Sequence, residues 1–215
     1  MKKAVVFDLD GTLLNTLPDI AGAMNRALEA HALPAHPEDA YRLFTGNGAR
    51  MLTRRAVGIE DPALVDQVFR TYAADYALHN RVHTAPYPGI PEALKALLVA
   101  GLKLCVYSNK DDVDVQPIIP HYFPQIGFSA VRGRMDGLPL KPDPTSVLQI
   151  AGVLGFTPSQ FWYVGDTRTD MQCARNAGMT SVFVTWGFQQ LEDLDGLAPD
   201  FTVNTAGDMV RLLTT

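Results

Sequence analysis

Residues 91–107 read PEALKALLVAGLKLCVY, and the order of elements in this stretch decides the fold class. Ala93, Leu94, Leu97 and Leu98 recur at helical spacing behind Pro91, a residue suited to a first helical turn. Gly101 stops that helix, and Leu102–Tyr107 follows as a continuous apolar run of strand character. The same order of helix, glycine and apolar strand returns twice. Val147–Leu154 ends at Gly155, and Phe161–Val164 follows a Thr157-Pro158 turn. Arg168–Ala177 ends at Gly178, and Thr180–Val184 follows. Helices alternating with wholly apolar strands imply βαβ crossovers and a parallel sheet buried on both faces. Lys2–Leu9 supplies another such strand at the start of the chain. The expected fold is α/β, with a doubly wound, Rossmann-like parallel-sheet core.

One segment departs from this order. From about Asn15 to about Pro86 the pattern is amphipathic helix without a convincing strand. Leu17, Ile20, Met24, Ala27 and Leu28 line one face of a first helix, with Thr16 and Asp19 spaced like a capping box. A second helix is expected over Arg50–Ala56, and a third is marked by Val65, Val68, Phe69, Tyr72 and Tyr76. Residues 33–37 and 58–62 read as the turns between them. The expected organisation is an α/β core over residues 1–14 and 87–215, with an all-helical cap inserted over 15–86. An insert directly after the first strand lies over the carboxyl ends of the strands, where ligands bind in open α/β sheets. It is therefore expected to act as a lid, hinged near Leu13–Thr16 and Ala85–Gly89.

The chain has 215 residues, 47% of them hydrophobic and 19% charged, which fits a well-packed globular protein and not a disordered one. A formal net charge of -5 argues against non-specific attraction to nucleic acid or anionic membranes. A phosphate ligand would then need a local concentration of donors, cations or metal. Cys105 and Cys173 stand far apart and outside any CxxC or Cys/His cluster; Cys105, in an apolar run, reads as a small core residue. Trp162 and Trp186 read as core or rim residues. The opening MKKAVVFDLDG is broken by Asp8 and Asp10 and lacks a small-residue cleavage site, so it does not read as a signal peptide. A cytoplasmic location is expected.

The chemistry concentrates at strand ends. Asp8-Leu9-Asp10-Gly11-Thr12 closes the first strand with two carboxylates one residue apart. Like charges that close repel unless a cation or proton lies between them, and magnesium is a hard cation that takes oxygen ligands. Taken alone, the motif also fits a solvated acidic turn. Ser108-Asn109-Lys110 follows Leu102–Tyr107, Lys141-Pro142-Asp143 precedes a helix that Pro144 could open, and Gly165–Asp170 follows Phe161–Val164. Singly, Ser108 could cap a helix, Lys141 could be a surface lysine, and Asp166 and Asp170 could be a loop acid and an exposed helical one. Together a hydroxyl, a lysine and a carboxylate pair fall where a doubly wound sheet gathers its ligand site.

This set resembles the four motifs of the haloacid dehalogenase superfamily: DxDGT, Ser, Lys and GDTxxD. The likeness runs over essentially the whole chain. Within the superfamily it is similar to the phosphoglycolate phosphatase-like group, through DGTLLNTLPDI at residues 10–20, Gly46-Asn47-Gly48 followed by Leu52 and Arg54-Arg55, and ARNAG at 174–178. Asn15 and Asp111-Asp112 depart from that group's pattern. The resemblance implies a magnesium-dependent phosphatase acting on a small phosphorylated metabolite, 2-phosphoglycolate first among them. Asp8 would be the nucleophile, carrying an aspartyl-phosphate, and Asp10 the general acid and base. Thr12, Ser108, Asn109 and Lys141 would hold phosphoryl oxygens, with Lys141 also neutralising charge on Asp8. Asp8, Asp166, Asp170 and the backbone carbonyl of Asp10 would serve Mg2+, Asp170 either directly or by orienting a ligand. Gly46, Asn47, Gly48 and Arg50 would face substrate, although a helix-initiating turn and a solvated helix face remain open for them. The same scaffold also hosts phosphomutases, but relatives of that kind carry a histidine in the first cap helix where this chain has Ile20. Phosphatases of sugar phosphates or nucleotides, and a catalytically silent binding protein, are further alternatives.

Overall fold

A computed structural model describes residues 1–215. In chain order the elements are β1 (Ala4–Phe7), β2 (Leu14–Asn15), α1 (Leu17–Ala30), α2 (Tyr41–Phe44), α3 (Ala49–Val57), α4 (Pro62–His79), β3 (Ala85–Pro86) and α5 (Ile90–Val99). They continue with β4 (Lys103–Asp111), α6 (Asp112–Tyr122), β5 (Ala130–Arg134), α7 (Thr145–Leu154), β6 (Phe161–Gly165), α8 (Arg168–Ala177), β7 (Thr180–Val184), β8 (Phe201–Val203) and α9 (Ala206–Leu213). The chain divides into two compact units, residues 1–14 with 86–215, and residues 15–85.

The first unit is built on a six-stranded sheet in the order β5-β4-β1-β6-β7-β8, with every pair parallel. β1 lies in the interior of the sheet, Ala4 opposite Lys103 on one side and opposite Phe161 on the other. Its alternate side chains feed two cores. Val5 and Phe7 pack with Leu104, Val106, Trp162 and Val164 and with the apolar faces of α5, α6 and α9. Ala4 and Val6 join Cys105, Tyr107, Phe161 and Tyr163 against α7 and α8. A strand buried on both faces needs apolar residues at every position, which is why the strand runs read as unbroken hydrophobic stretches. Replacing fully buried Phe7 by alanine would cost about 3–5 kcal/mol in this setting. The α/β, doubly wound expectation holds.

Four elements of this unit have no counterpart in the sequence reading. β5 sits at the sheet edge, where its residues are mostly half-buried and include Arg132 and Arg134, so no apolar run marks it. β8, at the opposite edge, has only three residues, two of them exposed. α6 carries Pro117 and Pro120 inside a helix, a composition that ordinarily argues against one. α9 closes the chain as a short amphipathic helix packed on α5 through Ala206, Met209 and Leu213.

The second unit is helical. The expected face of α1 is buried, Ile20, Met24, Ala27 and Leu28 included, and α1 packs on α4. α4 contributes Val68 and the stacked pair Tyr72 and Tyr76, ring centres 5.4 Å apart. Asp61 caps α4 by accepting from the amides of Ala63 and Leu64 at 3.0 and 3.1 Å. The Thr16–Asp19 capping box does not form. Thr16 has helical backbone angles (φ -97°, ψ -4°), its side chain makes no capping bond, and Asp19 is engaged elsewhere. The buried Asp19 carboxylate accepts from the amides of Val82, His83 and Thr84 at 2.8–3.1 Å, and from the Thr84 hydroxyl at 2.7 Å. β2 and β3 pair as a two-stranded ribbon where the chain leaves and re-enters the sheet-bearing unit.

Candidate active site

The site forms at the carboxyl ends of β1, β4 and β6. Asp8 follows the last residue of β1, and its amide donates to the carbonyl of Val164 in β6 at 2.9 Å. Asp166 follows β6, and Asp170 lies in the first turn of α8, where Thr167 and Asp170 form a reciprocal capping box. Oxygen atoms of Asp8, Asp166 and Asp170 all lie within 4.8 Å of one another, and all three residues are buried. Lys141, from the loop between β5 and α7, brings its ammonium 2.8 Å from Asp8 Oδ1 and 2.7 Å from Asp170 Oδ1, and donates to the Tyr107 carbonyl at 3.1 Å. The approach to Asp8 has the distance of an ion pair but not the angles of a hydrogen bond, so Asp8 Oδ1 accepts no well-directed bond.

One ammonium, paired with Asp8 and Asp170, stands against a cluster of three buried carboxylates. Burial first, then Asp170, raises the Asp8 carboxyl to about 7, with Lys141 pulling the other way. Burial, then Asp8 and Asp170, pushes Asp166 well above the ordinary carboxylate range. Burial works against the charge of Lys141, yet Asp170 and Asp8 outweigh it and hold the ammonium above the usual lysine range. A deficit of positive charge among clustered oxygen ligands, one of them without a directed partner, fits a divalent hard cation. The residues present therefore suit Mg2+.

The remaining side chains at the site orient their neighbours. Thr12, expected on phosphate, donates its hydroxyl to Asp166 Oδ1 at 2.7 Å, and the amide of Phe188 donates to Asp166 Oδ2 at 2.8 Å. Asn109 grips the backbone of Lys141, accepting from its amide at 2.8 Å and donating to its carbonyl at 3.3 Å. Ser108, almost wholly buried, accepts from the amide of Lys110 at 3.2 Å. β4 shifts register against β5 between Tyr107 and Asp111, at the stretch that holds Ser108, Asn109 and Lys110. The carboxylate of Asp10 is outside the three-acid cluster and meets Lys110 Nζ at 3.1 and 3.2 Å.

Three glycines leave room for the acids. A Cβ on Gly11 would stand 2.1 Å from Asp166 Oδ2, one on Gly187 would stand 2.2 Å from Asp166 Cβ, and one on Gly165 would stand 2.4 Å from Asp170 Cβ. Gly11 also has φ +90°, a conformation that favours glycine. Sequence reasoning missed Lys110, which stood in plain view beside Ser108 and Asn109. It also missed the 186–188 loop, where Trp186 Nε1 donates to the Thr12 carbonyl at 3.0 Å, because nothing in its composition marks it as part of a site.

In the helical unit, Gly46 and Gly48 have φ of 93° and 83° and flank Asn47, whose Oδ1 accepts from Arg55 at 2.8 Å. Arg50 pairs with Asp66 and lies 4.7 Å above the Phe69 ring centre. Arg54 pairs with Glu60 at 2.9 Å, and Arg55 donates to the carbonyls of Leu43, Phe44 and Thr45 at the end of α2.

Comparison with known proteins places this arrangement. Residues 5–184 match the sequence model of haloacid dehalogenase-like hydrolases. The phosphoglycolate phosphatase of Pseudomonas putida is 35% identical over 213 residues, covering 95% of this chain and 77% of that protein. The phosphoglycolate phosphatase of Mannheimia succiniciproducens is 32% identical and covers 98% of each chain. A solved structure from Lactobacillus delbrueckii subsp. bulgaricus is 30% identical, with a TM-score of 0.93 over 99% of both chains. A haloacid dehalogenase-like hydrolase from Streptococcus pneumoniae, 22% identical, shares the fold with a TM-score of 0.89. The chain belongs to the haloacid dehalogenase-like hydrolase family.

Proposed function

We propose that this chain is a magnesium-dependent phosphoric monoester hydrolase acting on a small phosphorylated metabolite, with 2-phosphoglycolate the leading substrate. The observation that carries the reading is Asp8, held at a strand end between Lys141 and two further buried acids, with a second carboxylate, Asp10, two residues away on a separate cation. The activity printed for the two curated relatives supports the choice of substrate.

Asp8 attacks phosphorus, and its bond to phosphorus forms as the ester P–O bond breaks. Asp10 gives a proton to the departing alkoxide, then takes one from the water that cleaves the aspartyl-phosphate, returning Asp8 and releasing phosphate. Lys141 offsets charge on Asp8 and on the transferring group, and Asn109 fixes Lys141 by gripping its backbone. Asp8, Asp166, Asp170 and the Asp10 carbonyl would hold Mg2+, which supplies an electrophile that neutralises phosphoryl oxygens. Thr12 contributes by orienting Asp166, and Ser108 and the amides around Asn109 bind phosphoryl oxygens. The loop 46–48 and Arg50 select the substrate, so Asn47→Ala should raise KM and leave kcat near that of the parent. At position 20 the chain has a buried isoleucine, with no group to assist a mutase cycle.

The test is phosphate release from a panel of phosphorylated metabolites, with Mg2+ and with a chelator. Metal-dependent release concentrated on 2-phosphoglycolate is expected, and Asp8→Asn should abolish it in a folded protein. Release spread over sugar phosphates or nucleotides would keep the chemistry and replace the substrate. Near-normal turnover by Asp8→Asn would remove the nucleophile assignment.

A further inference from the structure

Lys110 is a second buried cation in this site, and the phosphoryl-transfer steps assign it nothing. Its side chain is 7% exposed, and its ammonium reaches both oxygens of Asp10 at 3.1 and 3.2 Å. Burying a long, mobile, strongly hydrated ammonium is unfavourable unless the partners around it compensate. A second acid, Asp114 in the first turn of α6, is also close enough to feel this charge. Lys110 and Lys141 divide the site between them. Lys141 stands with Asp170 and with Asp8, the nucleophile of the reading above, whereas Lys110 stands with Asp10, which in that reading serves the departing alcohol.

That division locates the substrate's other end. The ester oxygen must come within hydrogen-bond reach of Asp10 to receive its proton. Any group on the carbon bearing that oxygen then lies within reach of a cation already touching Asp10. We infer that Lys110 is the specificity-determining receptor for a second anion on the substrate, a carboxylate on the carbon that carries the ester oxygen. The inference rests on the hydrolase reading above and adds to it the residue that receives the carboxylate of a 2-hydroxy acid phosphomonoester such as 2-phosphoglycolate. When such a substrate enters, one Asp10 oxygen turns to the ester oxygen, and Lys110 is shared between the other oxygen and the substrate carboxylate.

Ethyl phosphate and 2-phosphoglycolate have the same O–C–C skeleton and differ in the carboxylate, so the ratio of their kcat/KM values isolates this contact. The parent enzyme should favour 2-phosphoglycolate, and Lys110→Met should shrink that ratio about 10- to 100-fold, chiefly through KM, as expected for a charge-assisted contact. Lys110→Arg, which keeps the charge, should retain most of the preference, and it also serves if the methionine variant folds poorly. A parent with no preference, or a Lys110→Met variant whose two rates fall together at an unchanged ratio, would overturn the inference and leave the hydrolase intact; Lys110 would then only hold Asp10 in place. Absence of magnesium-dependent release from every phosphomonoester would instead overturn the hydrolase reading itself.

Discussion

Three buried carboxylates, two of them paired with Lys141, form a cluster that folding alone would avoid, and its instability should be measurable. A carboxyl whose pKa is raised by folding binds more protons in the folded than in the unfolded chain between the two values, so stability falls as pH rises through that window. For Asp8 the window runs from 3.8 to about 7. In a chelator, Asp8→Asn should therefore become progressively more heat-stable than the parent between pH 5 and 7.5, and added Mg2+ should raise the parent's melting temperature more at pH 7.5 than at pH 5. A stability difference independent of pH would count against the strained cluster. The glycines around the acids give a second expectation. Gly187→Ala would drive a methyl group into Asp166, and it should weaken Mg2+ binding about 10- to 100-fold, as seen by titration calorimetry. Asp8 and Asp166 stood out because each directly follows an apolar strand, whereas Lys141, in the loop between β5 and α7, stood out only in company with the other motifs. Gly187 was not, since its importance lies in a contact with a residue that the chain brings close only on folding.

At the scale of elements, the Asp19 carboxylate is a fixed point of the helical unit. It ties the start of α1 to the amides of residues 82–84, just ahead of β3, and is 3% exposed. Asp19→Ala would leave those amides without an acceptor and should cost about 2–4 kcal/mol, with faster hydrogen exchange at 82–84 than at Val68 or Tyr72. Uniformly faster exchange across α1 and α4 would mean that the whole unit, not the tie, had loosened. The spacing Thr16-x-x-Asp19 had the form of a local cap, yet the acid found partners more than sixty positions away, a choice no local pattern records. The same limit explains β5 and α6. The α1 face and the interior strands were readable because periodicity reports burial. An edge strand bearing Arg132 and Arg134 and a helix containing two prolines are held by neighbours that local preference cannot foresee.

Across the whole molecule, both cysteines lie in the core cluster between the sheet and α7 with α8, and burial raises each thiol to about 12. Neither should react with a thiol reagent at pH 8 while the protein is folded, and both should titrate after denaturation. Fast reaction of one thiol in the native protein would reveal an opening of that core. No helix is long and apolar enough to cross a membrane. The placement of β1 has a consequence for the chain as it is made. AVVF leaves the ribosome ahead of its partners, which run from Lys103 and from Phe161 onward and are translated only after residues 15–85 have emerged. The helical unit is contiguous and can assemble at once, while the strand destined for the interior of the sheet waits unpaired. Lys2 and Lys3 before it and Asp8 and Asp10 after it then act as charged gatekeepers, keeping a sticky apolar tetrapeptide from pairing with other nascent chains until its own neighbours arrive.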